Sequence, residues 1–343
     1  MKFFYTELIL NELKQQIINA AQISIVTHVN PDGDALGSSL GMYLVLSKYN
    51  KNVNVLTPNK FPHYYQWLPK SSEVIVFEDN RETGKNVIEN SDLVFCLDFN
   101  SLSRLSALGQ FVQNSKATKI LIDHHPMPEN AFQYIFSDIA VSSTCELAMQ
   151  FCKHAGLSEA IDKEAAECFF TGIMTDTGMF NFNCSSPTTF LIAAELLAYN
   201  VDKEKITRNI FDNYSEQRLR LLGYVLNEKM IVNHQLKAAY FSLSKEEMER
   251  FDYQIGDSEG FVNFPLSIKG IVFSTFIMEK DDKVKFSFRS RGSFDVNLFA
   301  RKYYNGGGHK NAAGGKIYKQ LNEAVADFEK YLKEYENDLA NSL

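Results

Sequence analysis

Three apolar segments in the first 125 residues each end at side chains that commonly bind metal ions. Ile23–Thr27 leads into His28, Asp32 and Asp34, which lie in the loop His-Val-Asn-Pro-Asp-Gly-Asp. Leu93–Leu97 leads into Asp98, and Lys119–Ile122 leads into Asp123, His124 and His125. Carboxylates and imidazoles without a thiolate suit hard or borderline ions such as Mn²⁺, Mg²⁺, Co²⁺ and Zn²⁺. The pattern is typical of a metal-dependent hydrolase.

The three segments have the character of β-strands. Strands that alternate with helices form parallel sheets with right-handed crossovers. Such sheets bind ligands outside the carboxyl ends of their strands. We therefore expect one site, assembled from parts of the chain that are far apart in the sequence.

Each motif also has a purely structural interpretation. Asp34 could cap the following helix, and Asp32 with Gly33 could form a simple bend, but neither role requires the imidazole of His28. Asp98 follows the run Val-Phe-Cys-Leu, where an unpaired carboxylate is costly, so two bridged cations would explain its position better.

The Asp-His-His-Pro segment has a similar pair of interpretations, since it could be no more than a polar loop before Pro126. Adjacent residues of an extended chain point in opposite directions, so at most one of His124 and His125 need bind a metal ion. Asp123 could then orient a histidine ring.

Two later regions carry further candidates. Asp176 lies in an apolar segment between Gly172 and Gly178, where it is either a helix-capping residue or a metal ligand. The segment Asn305–Gly315 is rich in glycine and contains His309, so it is either a bare glycine loop or an anion-binding loop. Arg289 and its neighbours either bind phosphate or form a solvated basic strand end.

The order of elements predicts two α/β domains. Strands alternate with helices up to Asp123, the pattern becomes helical from about Ser142, and strands return after Met230. We predict a catalytic domain over residues 1–200, a helical connector over 201–228 and a smaller α/β domain over 229–343. The N-terminal domain should contain a mainly parallel sheet flanked by helices, and the active site is expected in the cleft between the domains.

Composition narrows the class of protein. The chain has 343 residues, of which 45% are hydrophobic, and its net charge of −7 argues against a broad basic surface for long nucleic acid. The five cysteines form no CxxC pair and are expected to be buried free thiols. No segment approaches the roughly 18 apolar residues of a membrane span. A cytoplasmic protein that does not contact membranes is predicted, and a homodimer is left open.

Taken together, the four His/Asp motifs resemble those of the DHH phosphoesterase superfamily. The Gly306-Gly-Gly-His309 segment is similar to the signature of the DHH-associated C-terminal domain. Within that superfamily the two-domain layout resembles the bifunctional oligoribonuclease/pAp phosphatases, also called nanoRNases, where pAp is 3′-phosphoadenosine 5′-phosphate. The resemblance covers almost the whole chain, and its motifs follow in the expected order.

The resemblance implies two divalent cations, usually Mn²⁺, with Mg²⁺ or Co²⁺ as alternatives. It assigns one ion to His28, Asp32 and Asp98, and the other to Asp34, Asp98, His124 and Asp176. His125 would contact the scissile phosphate, and Asp123 would support the histidines. Arg289, Ser290, Gly307, Gly308 and His309 would bind the far phosphate or nucleotide end.

The implied function is hydrolysis of very short RNA oligonucleotides to mononucleotides and of pAp to AMP, by a water molecule that the two metal ions activate. Alternatives are a phosphodiesterase acting on cyclic di-AMP or linear pApA, and a RecJ-like single-strand exonuclease. A non-enzymatic nucleotide-binding regulator is disfavoured, because every candidate metal ligand is present.

Overall fold

The structure is a computed structural model that describes residues 5–50 and 52–342. The chain divides into two compact units, of which the first ends at Asn213 and the second begins at Tyr214. Three parts of the predicted domains lie outside the described residues. They are residues 1–4 and residue 51 of the predicted catalytic domain, and residue 343 at the end of the predicted second domain.

The first unit is built on a six-stranded sheet in which every strand pair is parallel. Its strands are β1 (Ile23–Thr27), β2 (Val53–Thr57), β3 (Ile75–Val76), β4 (Leu93–Leu97), β5 (Thr118–Asp123) and β6 (Tyr134–Ser137). Their order is β3-β2-β1-β4-β5-β6, so the direction of winding reverses between β1 and β4. A switch point of this kind opens a crevice at the carboxyl edge of the sheet.

Helices cover both faces of this sheet. They are α1 (Glu7–Asn19), α2 (Gly33–Leu46), α3 (Arg81–Glu89), α4 (Ala107–Asn114), α5 (Thr144–His154), α6 (Lys163–Asp176), α7 (Pro187–Leu197) and α8 (Lys203–Ile210). One apolar core joins the sheet to α1, α2, α5 and α6, and a second joins it to α3 and α4. Strands β1 and β4 are buried along their whole length, as expected for parallel strands covered on both faces.

Small residues allow α2 and α6 to pack unusually closely. A Cβ atom at Gly33 would lie 2.3 Å from Thr175 Oγ1, one at Gly37 would lie 2.5 Å from the Cys168 carbonyl oxygen, and one at Gly41 would meet the Phe169 ring at 2.5 Å. The two helices are antiparallel where they cross, because Gly33 near the start of α2 meets Thr175 near the end of α6, and Gly37 meets the earlier residue Cys168. The crossing therefore brings two helix ends together at the carboxyl edge of the sheet.

We expect Gly37→Ala to lower the free energy of unfolding by about 1–3 kcal/mol, because its methyl group would collide with a backbone oxygen that cannot move away easily. Gly223→Ala is the matched control, since Gly223 also lies in a helix and the added carbon would have no atom within 4 Å beyond its chain neighbours and the backbone of its own helix. Chemical denaturation of both variants checks this. Equal stabilities of the Gly37→Ala variant and the wild type would contradict the close packing.

The second unit contains a mixed six-stranded sheet with the order β11-β12-β10-β9-β8-β7. Its strands are β7 (Ile231–Asn233), β8 (Ala238–Leu243), β9 (Phe273–Glu279), β10 (Val284–Ser290), β11 (Gly307–His309) and β12 (Ala312–Ile317). Its helices are α9 (Glu216–Tyr224), α10 (Lys245–Arg250), α11 (Val296–Tyr303), α12 (Leu321–Lys333) and α13 (Glu336–Ala340). Only β8 and β9 run parallel, and an aromatic core that includes Phe273, Phe288 and Phe299 packs between the sheet and the helices α11 and α12.

The structure confirms the predicted α/β class of both units, including the mainly parallel first sheet. It corrects the predicted glycine loop, because Gly307–His309 forms an edge strand paired with β12. A Cβ atom at Gly306 would lie 2.0 Å from the Gly314 carbonyl oxygen, and one at Gly308 would lie 2.5 Å from the Ala312 carbonyl oxygen. The glycines are therefore needed for the close approach of two strands.

The five cysteines are buried free thiols, as predicted. In the described part of the chain, no helix combines the length and the apolar character needed to cross a membrane.

Candidate metal centre

The carboxyl ends of β1, β4 and β5, which are neighbours in the sheet, carry the first set of ligands. His28 follows β1, and its Nδ1 lies 2.9 Å from the Val29 carbonyl oxygen. In the neutral ring this contact places the proton on Nδ1 and leaves the lone pair on Nε2. That Nε2 lies 3.3 Å from Asp98 Oδ2 and 3.9 Å from Asp32 Oδ1.

Asp32 also starts the helix that follows the loop. Its Oδ1 accepts hydrogen bonds from the N–H groups of Asp34 and Ala35, each at 3.1 Å. Helix capping is thus performed by Asp32 and not by Asp34, which was the structural alternative. Asp34 is instead buried, with only 1% of its surface exposed.

Asp98 lies between two groups of candidate ligands. It has a positive φ of 67°, which is uncommon for a residue other than glycine and turns the chain sharply after β4. Its Oδ2 faces His28, whereas its Oδ1 lies 3.6 Å from His124 Nε2. One carboxylate therefore offers a separate oxygen to each of two histidines, which is the arrangement a bridging ligand requires.

The second group surrounds His124. Its Nε2 lies 3.7 Å from Asp34 Oδ2, 3.7 Å from Asp176 Oδ2 and 3.6 Å from Asp98 Oδ1. Asp34 begins α2 and Asp176 ends α6, so the glycine-mediated crossing of these helices brings the two carboxylates together. Asp176, whose role the sequence left open, thus lies within the cluster.

His125 has a different environment from His124, and the two rings are inclined by 76°. Its Nδ1 lies 2.7 Å from Asp123 Oδ1, a short hydrogen bond to a fully buried carboxylate. This contact engages Nδ1 of His125, whereas Nε2 of His124 faces three carboxylates. That at most one of the two adjacent histidines binds a metal ion stays a prediction.

The donor set fits divalent cations. The groups His28/Asp32/Asp98 and Asp34/His124/Asp176 each bring their ligand atoms within 4.8 Å of one another. Among the described residues, Asp34 and Asp98 form ion pairs with histidines and none with a lysine or arginine, so bound cations would add compensation for buried carboxylates. Burial raises the pKa of the nearby Cys145 thiol well above its ordinary value when no cation is present.

Proximity of the carboxylates changes their acidity when no cation is present. Burial, with repulsion from Asp98 and Asp176, raises the pKa of Asp34 well above its ordinary value. Burial and the charge of Arg104 oppose protonation of His28, but its hydrogen bond to Asp98 and the charges of both aspartates raise its pKa overall. Burial also disfavours the Asp98 carboxylate, yet His28 and the other two histidines hold the pKa of Asp98 far below its ordinary value.

We expect Mn²⁺ affinity to fall as the pH decreases. Asp34 and His28 both have raised pKa values without cations, so at a given pH each is protonated to a greater extent than an ordinary aspartate or histidine and must release that proton to act as a ligand. Isothermal titration calorimetry in two buffers with different ionisation enthalpies measures that release. An affinity that stays constant from mildly acidic to neutral pH would contradict this linkage.

Sequence reasoning predicted a helix from about Ser142, but it did not predict that the start of this helix, α5, contacts the cluster. The N–H groups of Thr144 and Cys145 donate to Asp34, and the Thr144 hydroxyl donates to Asp98. The pattern Ser143-x-x-Glu146 is a recognisable helix-start signal and agrees with the predicted start of this helix. It could not have shown that the helix faces the metal ligands, because that depends on the missed strand β6 before it.

In the second unit, strand pairing aligns two of the predicted substrate-binding residues. Arg289 and His309 both pair with Ala312 on the strand between them, so their side chains lie on the same face of the sheet. Gly308 donates its N–H to Asn297 Oδ1 at 3.1 Å, and that oxygen also accepts from Arg301 Nε at 3.1 Å. Asn297 and Arg301 are therefore neighbours of the predicted substrate-binding residues that the sequence did not indicate.

Ser290 is positioned differently from the other predicted residues. Its hydroxyl donates to the Phe294 carbonyl oxygen at 2.7 Å and accepts from Asn311 Nδ2 at 2.8 Å. Ser290 is also buried. These contacts fix the end of β10, and both hydrogen bonds of the hydroxyl are made within the protein.

Comparison with protein families agrees with the fold and the His/Asp cluster. Residues 22–173 match the DHH family N-terminal domain, and residues 235–334 match the DHHA1 domain. The chain belongs to the DHH/DHHA1 family of phosphoesterases, which are hydrolases.

Individual relatives resemble the chain over nearly its full length. The bifunctional oligoribonuclease and PAP phosphatase NrnA of Thermus thermophilus is 30% identical over 329 residues, which cover 92% of this chain and 93% of the relative. The Bacillus subtilis protein of the same description is 28% identical over 312 residues, covering 90% and 94%. The crystal structure of an exopolyphosphatase-related protein from Bacteroides fragilis matches with a TM-score of 0.93 and 42% identity, covering 99% of this chain and all of the other.

Proposed function

We propose that this phosphoesterase hydrolyses very short RNA oligonucleotides to mononucleotides and pAp to AMP. The observation that carries the proposal is the position of Asp98, whose two oxygens face His28 on one side and His124 on the other. Two relatives described as bifunctional oligoribonucleases and PAP phosphatases, each aligned over at least 90% of this chain, support the choice of substrates.

Two divalent cations, with Mn²⁺ as the first choice and Mg²⁺ or Co²⁺ as alternatives, would be held by two groups of side chains. One group comprises His28, Asp32 and Asp98, and the other comprises Asp34, Asp98, His124 and Asp176. When bound, the cations would supply Lewis-acid chemistry, acidifying a water molecule and compensating the charge that develops on the phosphoryl oxygens.

The remaining residues of the centre orient the substrate. Asp123 holds Nδ1 of His125 in a hydrogen bond of 2.7 Å, which fixes the ring and its tautomer. We propose that the other ring nitrogen, Nε2, contacts the scissile phosphate. In the imidazolium form it would donate a proton toward a phosphoryl oxygen.

Residues of the second unit would bind the far end of the substrate. Arg289 and His309, aligned on one sheet face, offer cationic or hydrogen-bonding groups suited to phosphate, and the edge-strand backbone of Gly307 and Gly308 lies beside them. Ser290 would support this site through its contacts with Phe294 and Asn311, without itself touching substrate.

We expect Arg289→Ala to raise KM for pAp about tenfold or more with a smaller effect on kcat, because the contact is made to a phosphate remote from the reacting bond. Arg291→Ala is the matched control, since Arg291 lies two residues further along and is exposed. Steady-state kinetics with both variants checks this. Equal KM values for the two variants would argue against a substrate contact at Arg289.

The substrate choice is tested by one panel of turnover measurements. Phosphate or nucleotide release would be followed from pAp, from 5′-phosphorylated RNAs of increasing length, from pApA and cyclic di-AMP, and from inorganic polyphosphate, each with Mn²⁺ or EDTA. Polyphosphate is included because of the description of the Bacteroides fragilis relative. Fast Mn²⁺-dependent cleavage of pAp and the shortest RNAs, declining with length, is the expected result.

Other outcomes would reassign the substrate within the same family. Preference for cyclic di-AMP or pApA would favour a dinucleotide phosphodiesterase, preference for long single strands a RecJ-like exonuclease, and preference for polyphosphate a polyphosphatase. Absence of turnover with every substrate and metal would overturn the proposed activity.

A further inference from the structure

One residue outside the predicted ligand set contacts two of the proposed ligands at once. The Thr144 hydroxyl donates to Asp98 Oδ1 at 2.8 Å, and the Thr144 N–H donates to Asp34 Oδ2 at 2.6 Å. The next N–H, that of Cys145, donates to Asp34 Oδ1 at 2.9 Å. Both oxygens of Asp34 and one oxygen of Asp98 are therefore oriented by the first turn of α5.

We propose that Thr144 is a positioning residue that holds Asp98 in the orientation needed to bridge the two cations. This inference rests on the proposed metal site. The terminal torsion of an aspartate side chain has a broad energy profile, so the direction of its oxygens depends on their partners. His28 contacts one oxygen of Asp98 and Thr144 contacts the other, which fixes the carboxylate plane.

The Thr144 hydroxyl is not needed to start the helix. The N-cap of α5 is Ser143, whose hydroxyl oxygen accepts from the Glu146 N–H at 3.0 Å. The Ser143 hydroxyl therefore caps the helix, and the Thr144 hydroxyl has no capping role and bonds to Asp98. A carboxylate oxygen that accepts one hydrogen bond retains capacity for a further partner such as a cation.

Buried contacts hold this first turn in place. Glu146 is fully buried, and its Oε2 accepts from the Ser142 N–H at 3.0 Å, the Ser142 hydroxyl at 2.6 Å and the Thr189 hydroxyl at 2.8 Å. Asn183 Nδ2 donates to the Ser142 carbonyl oxygen at 2.9 Å. These hydrogen bonds fix the backbone next to Thr144, and so they fix the position from which its hydroxyl contacts Asp98.

The test compares Thr144→Val, which removes the hydroxyl at nearly constant shape, with Thr144→Ser, which keeps it. Mn²⁺ affinity of the full-length proteins would be measured by equilibrium dialysis, with thermal unfolding in EDTA recorded for each variant. Partners of metal ligands typically contribute about 10–100-fold in affinity. We expect Thr144→Val to weaken binding of both ions by about tenfold or more, because Asp98 bridges them, and Thr144→Ser to bind within a few-fold of the wild type.

Several results would overturn the inference. These are unchanged Mn²⁺ affinity in folded Thr144→Val, lower folding stability with normal affinity, or equal weakening in the valine and serine variants. Thr144→Ala removes the same hydroxyl with a smaller side chain and carries the same expectation if Thr144→Val does not fold. A wild-type protein that fails to bind Mn²⁺ would refute the metal site itself, which is a different outcome from a Thr144 variant that binds normally.

Discussion

Replacement of Asp98 by asparagine should lower turnover at least about 10³-fold at any Mn²⁺ concentration. The carboxylate is buried, and its two oxygens face His28 and His124, so both proposed cation sites lose a charged ligand together. Asparagine tolerates the positive φ of 67° at this position, so the substitution removes the charge without straining the backbone. Alanine should be equally inactive but should also destabilise the turn.

The matched control for this prediction is Asp92→Asn. Asp92 directly precedes β4, whereas Asp98 directly follows it, so the two aspartates lie at opposite edges of one sheet. Asp92 Oδ2 accepts from the Ala21 and Gln22 N–H groups, so its replacement should affect stability and leave Mn²⁺ binding intact. Turnover in the Asp98→Asn variant that recovers at high Mn²⁺ would contradict the bridging role.

Replacement of Asp123 by asparagine should lower kcat by about 10²–10⁴-fold while changing Mn²⁺ affinity little. Asp123 Oδ1 accepts from His125 Nδ1 at 2.7 Å. An uncharged amide placed there no longer stabilises the imidazolium form, in which Nε2 would donate to the scissile phosphate. It also accepts more weakly from Nδ1, so the ring would be held less firmly in its orientation.

Steady-state kinetics together with equilibrium dialysis separates this effect from loss of metal. His125→Gln provides the comparison, because it removes the ring directly and should be at least as impaired. A normal kcat in Asp123→Asn would contradict the orienting role. A loss of kcat fully explained by weaker Mn²⁺ binding would instead place Asp123 among the metal-binding groups.

Much of the first unit could be predicted from local sequence because its strands are short apolar runs followed at once by polar residues. His28, Asp98 and Asp123 each come directly after such a run, and parallel pairing places all three at one edge. The order of strands was not needed for this prediction, since any parallel sheet aligns the carboxyl ends of its strands.

Asp176 illustrates what local sequence could not show. Its distance from Asp34 depends on the closeness of α2 and α6, which Gly33 and Gly37 permit through contacts with residues more than 130 positions away in the sequence. The local sequence alone favoured helix capping or a threonine-rich turn for Asp176. Its assignment as a ligand came from the family resemblance, and its place beside His124 comes from the fold.

The glycine-rich segment differs from the sequence prediction in its backbone conformation. Consecutive glycines suggested a loop, either bare or anion-binding, whereas Gly307–His309 pairs with β12 as an edge strand; its contact with substrate stays a prediction. The close approach of Gly306 to the Gly314 carbonyl oxygen explains a glycine there without any ligand. Thr144 was overlooked for a related reason, because two of the three hydrogen bonds that orient Asp34 and Asp98 at the start of α5 come from backbone N–H groups, which no residue type reveals.

The most direct test of a dinuclear centre bridged by Asp98 is a Mn²⁺ titration followed by electron paramagnetic resonance spectroscopy. A bridging carboxylate predicts two ions per chain, and a magnetically coupled spectrum that develops as the second ion binds and is absent in Asp98→Asn. Saturation at a single ion, or two ions whose spectra remain independent, would contradict the bridged centre and with it the proposed mechanism.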